Sequence, residues 1–190
     1  MIPDVDPAPP ANPDGLVNRE DILARAEDRR NLCRIMSWAH IYISVRWSNT
    51  NLYIGIPSTI FAAIASVQAI SDLGSGDVSL KVLQIIFSVI VAGLAPLLTF
   101  LNPSEKAGIH KMTSRVYEQL ADRYDAFILR CQLEPRSIQE ELNELVAINQ
   151  EYVEAKKPLP VTPEWAYQKA RSAADQQGLV APMATKHHSD

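Results

Sequence analysis

Two long charge-free apolar runs constrain this chain more than anything else in it. No residue from Trp47 to Ser71 carries a formal charge, and none from Val82 to Ser104 does. A hydrocarbon core about 30 Å thick needs roughly 20 helical residues to cross it, and each run meets that length. The turn between them, Ser71-Asp72-Leu73-Gly74-Ser75-Gly76-Asp77, is glycine-rich, acidic and too short to hold a domain. The expected class is all-α: a two-pass transmembrane hairpin with spans of about 52–70 and 82–101. Long cytosolic helices should flank it as a bundle or coiled-coil-like stalk, with the lipid bilayer as the first partner. A soluble bundle would have to bury both uncharged spans in one core. Leaving them in water costs roughly 25 cal/mol for each Å² of apolar surface.

The flanks are charged, and the balance of 22 acids against 18 bases gives a formal net charge of −4. That excludes the basic field that nucleic-acid affinity requires, so no nucleic-acid partner is expected. Cys33 and Cys131 both fall on apolar positions of predicted helices. They read as buried small hydrophobes rather than a redox or metal pair.

Residues 1–17, rich in proline and aspartate, read as a disordered tail and not as a cleavable signal. The first apolar run would then act as an internal signal-anchor. Asn18 is a plausible N-cap with Asp21 three residues on. A helix should follow from about Arg19 to about Ser48. Its apolar rows are Leu32, Ile35, Ala39 and Tyr42, and beside them Cys33, Met36, His40 and Ile43. Trp38, Tyr42 and Trp47 gather toward the membrane end, as interfacial aromatics do. Pro57 falls in the opening turns of the first span, and Pro96 is a kink candidate in the second.

Asn102-Pro103-Ser104-Glu105 joins a cap residue to proline at the first helical position and an acid at the third. The helix opened there carries the cleanest periodicity in the chain, His110, Tyr117, Tyr124 and Cys131 at sevens. Ser114, Ala121 and Ile128 interleave, and Thr113, Leu120 and Phe127 run alongside. After Pro135, Ser137 and Glu140 form a capping box for a helix whose buried edge should be Ile138, Leu142, Leu145, Val146, Tyr152 and Val153. Pro158-Leu-Pro160 stops it. A last short helix should be capped by Thr162, carry Trp165 and fade by Gly178. The two-transmembrane domain is thus expected over 18–171, with a mostly disordered tail over 172–190, where His187-His188 reads as tail composition.

Arg34 and Arg46 precede the first span, and Lys106, Lys111 and Arg115 follow the second. Positive charge favours the cytoplasmic side, so an integral multi-pass protein with both termini cytoplasmic is expected. No nucleophile–base set, phosphate loop or metal-finger spacing occurs, and the carboxylates read as wet helix faces. The expectation is no enzyme and no cofactor.

The informative polar residues lie inside the apolar runs. Ser58, Ala62 and Ser66 recur at fours, with Gly55, Thr59 and Ala63 on the adjacent row. Gln84, Ser88 and Ala92 recur at fours in the second run, and Gln68 and Gln84 both lie about one turn inside the loop side. Small residues at this spacing let helix backbones approach closely in lipid. Alternatively, clustered hairpins line a water path with them, although no charge ring is present. His40 and His110 stand about equally far from the two spans. They are either hydrogen-bonded members of a packing stripe or a pH-sensitive latch.

The long leading helix, the short-turn hairpin, Pro103-Ser-Glu-Lys-Ala107-Gly-Ile-His110, Tyr117-Glu-Gln-Leu120, Tyr152 and Pro158-Leu-Pro160 together resemble the SLATT domain family. These are two-transmembrane effectors associated with nucleotide-second-messenger systems. The resemblance spans roughly Arg19 to Arg171. It implies an all-helical homo-oligomeric membrane protein that breaches or depolarises the bilayer when a partner signals. His110, Tyr117, Leu120 and Tyr124 would then pack the stalk together with His40. No nucleotide-binding motif occurs in these residues, which departs from the family's sensor-linked pattern and leaves the trigger open, a separate sensor or regulatory protein being one candidate partner. The alternative is a structural or scaffolding membrane protein that binds a partner through its cytosolic helices without conduction.

Overall fold

The computed structural model describes residues 18–71 and 78–178. Those residues are about 90% helical and contain no strand. The elements are α1 (Arg19–Ser71), α2 (Val78–Leu101), α3 (Pro103–Leu133), α4 (Ile138–Lys156) and α5 (Glu164–Gln176). They divide into two compact units, Met1–Tyr42 with His110–Asp190, and Ile43–Ile109. The expected tail over 1–17 and the turn at 72–77 lie outside the described residues. The last described helix ends at Gln176, in line with a helix fading by Gly178.

The capping signals act as read. The Asp21 amide donates to Asn18 Oδ1 at 3.1 Å, and the Asn18 amide donates back to the Asp21 carboxylate at 3.4 Å. Ser137 and Glu140 make the reciprocal pair that opens α4. Asn102 separates α2 from α3 in the left-handed region, at φ 41°, which asparagine tolerates better than most side chains. Its amide donates to the Leu98 carbonyl at 3.0 Å and its carbonyl accepts from the Lys106 amide at 3.2 Å, so one residue closes one helix and opens the next.

The expected break after Ser48 does not occur, because α1 is continuous to Ser71. Nothing between Arg46 and Leu52 competes successfully with the helix. Thr50 turns its hydroxyl back onto the Arg46 carbonyl, and Pro57 is accommodated inside the helix.

In the first unit the core joins three helices. Ile22, Ala26 and Cys33 come from α1, and Tyr117, Leu120, Ala121, Tyr124, Phe127, Ile128 and Cys131 from α3. Leu145, Ile148 and Tyr152 come from α4. All three expected rows of α3 are buried apart from half-buried His110. A face three rows wide is broader than a two-stranded seam and fits a helix held in a bundle. Tyr124 donates its hydroxyl to Asn149 Oδ1 at 2.8 Å, which satisfies a polar tip inside an apolar core.

The buried edge of α4 differs from the expected one. It is Glu141, Leu145, Ile148 and Tyr152, while Ile138, Val146 and Val153 are about half exposed. Steps of four, three and four make a better stripe than the expected set, and a carboxylate occupies its first place. Arg19 explains how: its Nη2 lies 2.8 Å from Glu141 Oε1. In α5 the buried residues are Ala166, Ala170 and Ala174, and Trp165 is partly exposed.

In the second unit, Ser44 donates to the Ala107 carbonyl at 2.8 Å, and the Lys106 ammonium sits 4.5 Å from the centre of the Trp47 ring. The Phe61 and Phe87 rings stack with centroids 5.3 Å apart, so the late part of α1 and the middle of α2 meet. Most large apolar side chains of this unit face outward, among them Leu52, Ile56, Ile60, Val82, Ile85 and Val89. Among the described residues, one helix is long and apolar enough to cross a membrane, and its most apolar stretch is nowhere buried.

Candidate functional site

Beside its apolar core, the first unit is also joined by polar groups between α1 and α3. Asp125 on α3 takes two arginines one turn apart on α1, Arg30 at 3.2 Å and Arg34 at 2.6 Å. Nearer Tyr42, Ser37 and Ser114 share a hydrogen bond of 2.9 Å, both side chains buried. Next comes the pair that the spacing singled out. His40 Nδ1 and His110 Nδ1 lie 2.9 Å apart, and His40 is sealed from solvent. Their ring centroids are 5.1 Å apart with planes inclined by 22°, and the Tyr117 ring lies 5.7 Å from that of His40. The other nitrogen of His40, Nε2, is 3.1 Å from Thr162 Oγ1.

Thr162 was expected to cap the last helix. It does not, because the helix begins one residue later, with Pro163 at the cap position and no side-chain cap bond. One place before the cap, the threonine hydroxyl misses the first free amides and turns to His40 instead.

Burial, and then the neighbouring His110, hold the His40 imidazole down to about 4, and burial lowers His110 as well. Both rings are therefore neutral at physiological pH. The Nδ1···Nδ1 contact needs one N–H and one lone pair, so the two imidazoles hold complementary tautomers.

A second buried polar group escaped sequence reading. Glu141 is fully sealed, with both carboxylate oxygens away from water and Arg19 as its ion-pair partner. Arg19 also donates to the Cys131 and Glu134 carbonyls, where α3 ends. The Cys131 thiol is pushed up by burial and by the Glu141 charge. Cys33 is pushed up to about 12, chiefly by burial. Both thiols are free and buried, which makes them packing groups.

The expected residues of the apolar runs separate. Ser58 donates to the Ile54 carbonyl and Ser66 to the Ala62 carbonyl, both at 2.8 Å, and Thr59 donates to Gly55 at 2.9 Å. These hydroxyls are satisfied within their own helix. Ala62 is half-buried, and Ser88 and Ala92 are exposed. The side chains of Gln68 and Gln84 lie outside the described part of the structure. An open groove of about 420 Å³ follows Asn51, Leu52, Gly55, Ile56, Thr59 and Ile60, where Gly55 leaves a notch on α1. Among the described residues, no group of three or more His, Cys, Asp or Glu side chains is placed to hold a metal ion.

No family model matches the chain, and no curated protein or solved structure matches it either.

Proposed function

We propose that the chain is a self-associating two-pass membrane protein of the SLATT kind, with α2 and the late part of α1 as its spans and both termini on the cytoplasmic side. The observation that carries this reading is the outward apolar surface of the second unit. Leu52, Ile56 and Ile60 on α1, and Val82, Ile85, Ile86 and Val89 on α2, are all exposed. Large apolar side chains exposed in such number are unstable in water and are what a bilayer covers. The Phe61–Phe87 stack supports the two segments as neighbours. The notch at Gly55 gives a further helix room for close approach, which supports assembly through small residues. In this reading the protein is an effector, not an enzyme, and a separate sensor protein supplies its signal.

The test is extraction of membranes at alkaline pH, combined with a glycosylation acceptor inserted at residues 72–77 and read in microsomes. Retention in the pellet with a glycan on the turn is expected. A polypeptide released by carbonate, or one that stays dissolved and monodisperse without detergent, overturns the reading.

A second reading, membrane scaffolding without conduction, is favoured by one observation. Ser58, Thr59 and Ser66 spend their hydroxyl protons on their own helix, which leaves a poor lining for water. Ion flux from liposomes separates the two. A Ser88→Leu variant abolishes leakage if that row is wetted and leaves it unchanged if the row only packs.

A further inference from the structure

We propose that His40, His110 and Thr162 form an acid-operated release, in which the pair accepts one proton, rejects the second, and parts α1 from α3 when both imidazoles are charged. All three groups lie outside the apolar runs, so the inference stands apart from the bilayer reading.

At 2.9 Å, the two Nδ1 atoms need a donor on one side and a lone pair on the other. A first proton fits. With His110 cationic, its Nδ1–H donates to His40 Nδ1, and His40 carries its own proton on Nε2, donating to Thr162 Oγ1 at 3.1 Å. The threonine hydroxyl can accept as readily as donate, so nothing in the chain is left unsatisfied. The second proton has one place to go, His40 Nδ1. That sets two N–H groups against each other at hydrogen-bond distance, on two cations, with His40 sealed from water.

Among the contacts described, no charged group other than the partner imidazole meets His40. From α3 the faces turned to His40 are His110 and the Tyr117 ring. From the segment before α5 it is the neutral Thr162 hydroxyl. On α1, Ser37 is engaged with Ser114. Of the two cations of α5, Lys169 and Arg171, Lys169 lies 4.6 Å from the centre of the Tyr42 ring. Among the contacts described, no carboxylate reaches either imidazole.

The direction follows from linkage. An unfolded histidine takes its proton near 6.5, whereas burial and His110 hold His40 near 4 in the folded chain. The folded form therefore binds fewer protons between those values, and acidification favours opening. The stabilisation is complete above about 6.5 and is lost as the pH falls toward about 4. For each proton withheld, the opening constant rises up to about tenfold per pH unit.

The experiment is chemical unfolding of the purified full chain at pH values from 7.5 to 4.5, for the wild type, the single variants His40→Gln and His110→Gln, and the double variant. The wild type should lose stability on acidification more steeply than the double variant, which removes both titrating groups and keeps the carboxylates as an internal reference. Parallel curves overturn the proposal. Should the double variant not fold, nitrogen NMR of the wild-type imidazoles decides. Two separated steps, with the native amide spectrum lost at the second, are expected. Independent titration of both rings near 6.5 overturns the pair. Thr162→Val deletes the acceptor that the first proton needs, so its step should move to lower pH. An unmoved first step overturns the role of Thr162.

Discussion

Removing Arg19 should cost far more stability than removing its partner, and the asymmetry follows from where the two groups sit. Glu141 is fully buried, whereas the Arg19 side chain is 42% exposed. An Arg19→Met substitution leaves a carboxylate sealed in the core with no cation. Stripping one partner from a buried pair costs about 3–5 kcal/mol, and the exposure of Arg19 puts this case at roughly the lower bound. The variant also loses the donor to the Cys131 and Glu134 carbonyls at the end of α3, worth about 0.5–1 kcal/mol. The expected loss is therefore roughly 3–4 kcal/mol. Glu141→Leu behaves differently, because the freed guanidinium swings into solvent and the leucine continues the stripe of Leu145, Ile148 and Tyr152. That change should fall within about 1 kcal/mol of the wild type, on either side. In the Glu141→Leu background, Arg19→Met should cost only about 1 kcal/mol, giving a coupling energy of roughly 2–3 kcal/mol. Urea titration followed by tryptophan fluorescence measures all four corners of the cycle. Equal losses in the two single variants, or additive losses in the double, would refute the account of Glu141 as a buried charge held by Arg19.

Phe127 is fully buried, so Phe127→Ala should destabilise by about 3–5 kcal/mol, whereas Leu133→Ala, at a position 73% exposed, should stay within about 0.5 kcal/mol in the same titration. Tyr124→Phe removes the bond to Asn149 and strands an amide oxygen; a loss of about 1–2 kcal/mol is expected, and none beyond it in an Asn149→Ala background. With Cys33 pushed up to about 12 and Cys131 also raised, neither thiol should label with maleimide at pH 7 faster than the unit opens; rapid labelling of native protein would contradict their burial.

How much of this architecture the sequence revealed depended on whether a local rule decided the outcome. The caps at Asn18 and Ser137 were legible because the reciprocal bonds involve residues three apart, with no tertiary partner needed. The rows of α3 were legible because three adjacent apolar rows admit one buried face. The meeting of His40 and His110 was legible only conditionally, since their similar distances to the two apolar runs bring the rings together once α1 packs beside α3. The continuity of α1 was not legible, since Ser48-Asn49-Thr50-Asn51 looks like a helix end until Thr50 is seen bonding back to Arg46. Glu141 was misread for a different reason. A glutamate on a charged helix looks solvated, and its only signal was its place in the spacing of Leu145, Ile148 and Tyr152. Thr162 was assigned a local job that a one-residue shift of the helix start handed to Pro163, which freed the hydroxyl for His40.

Ala166, Ala170 and Ala174 give α5 a character unlike its neighbours. Three methyl groups offer little transfer free energy, so the helix owes its seat to close backbone approach more than to greasy bulk. Such an element is intolerant and loosely fastened at once. A larger side chain at Ala170 has nowhere to go and would lift the whole segment, while thermal opening of the native segment needs few contacts to break. Its amides should accordingly exchange with heavy water sooner than those of α3, which makes α5 readier than α3 to come and go.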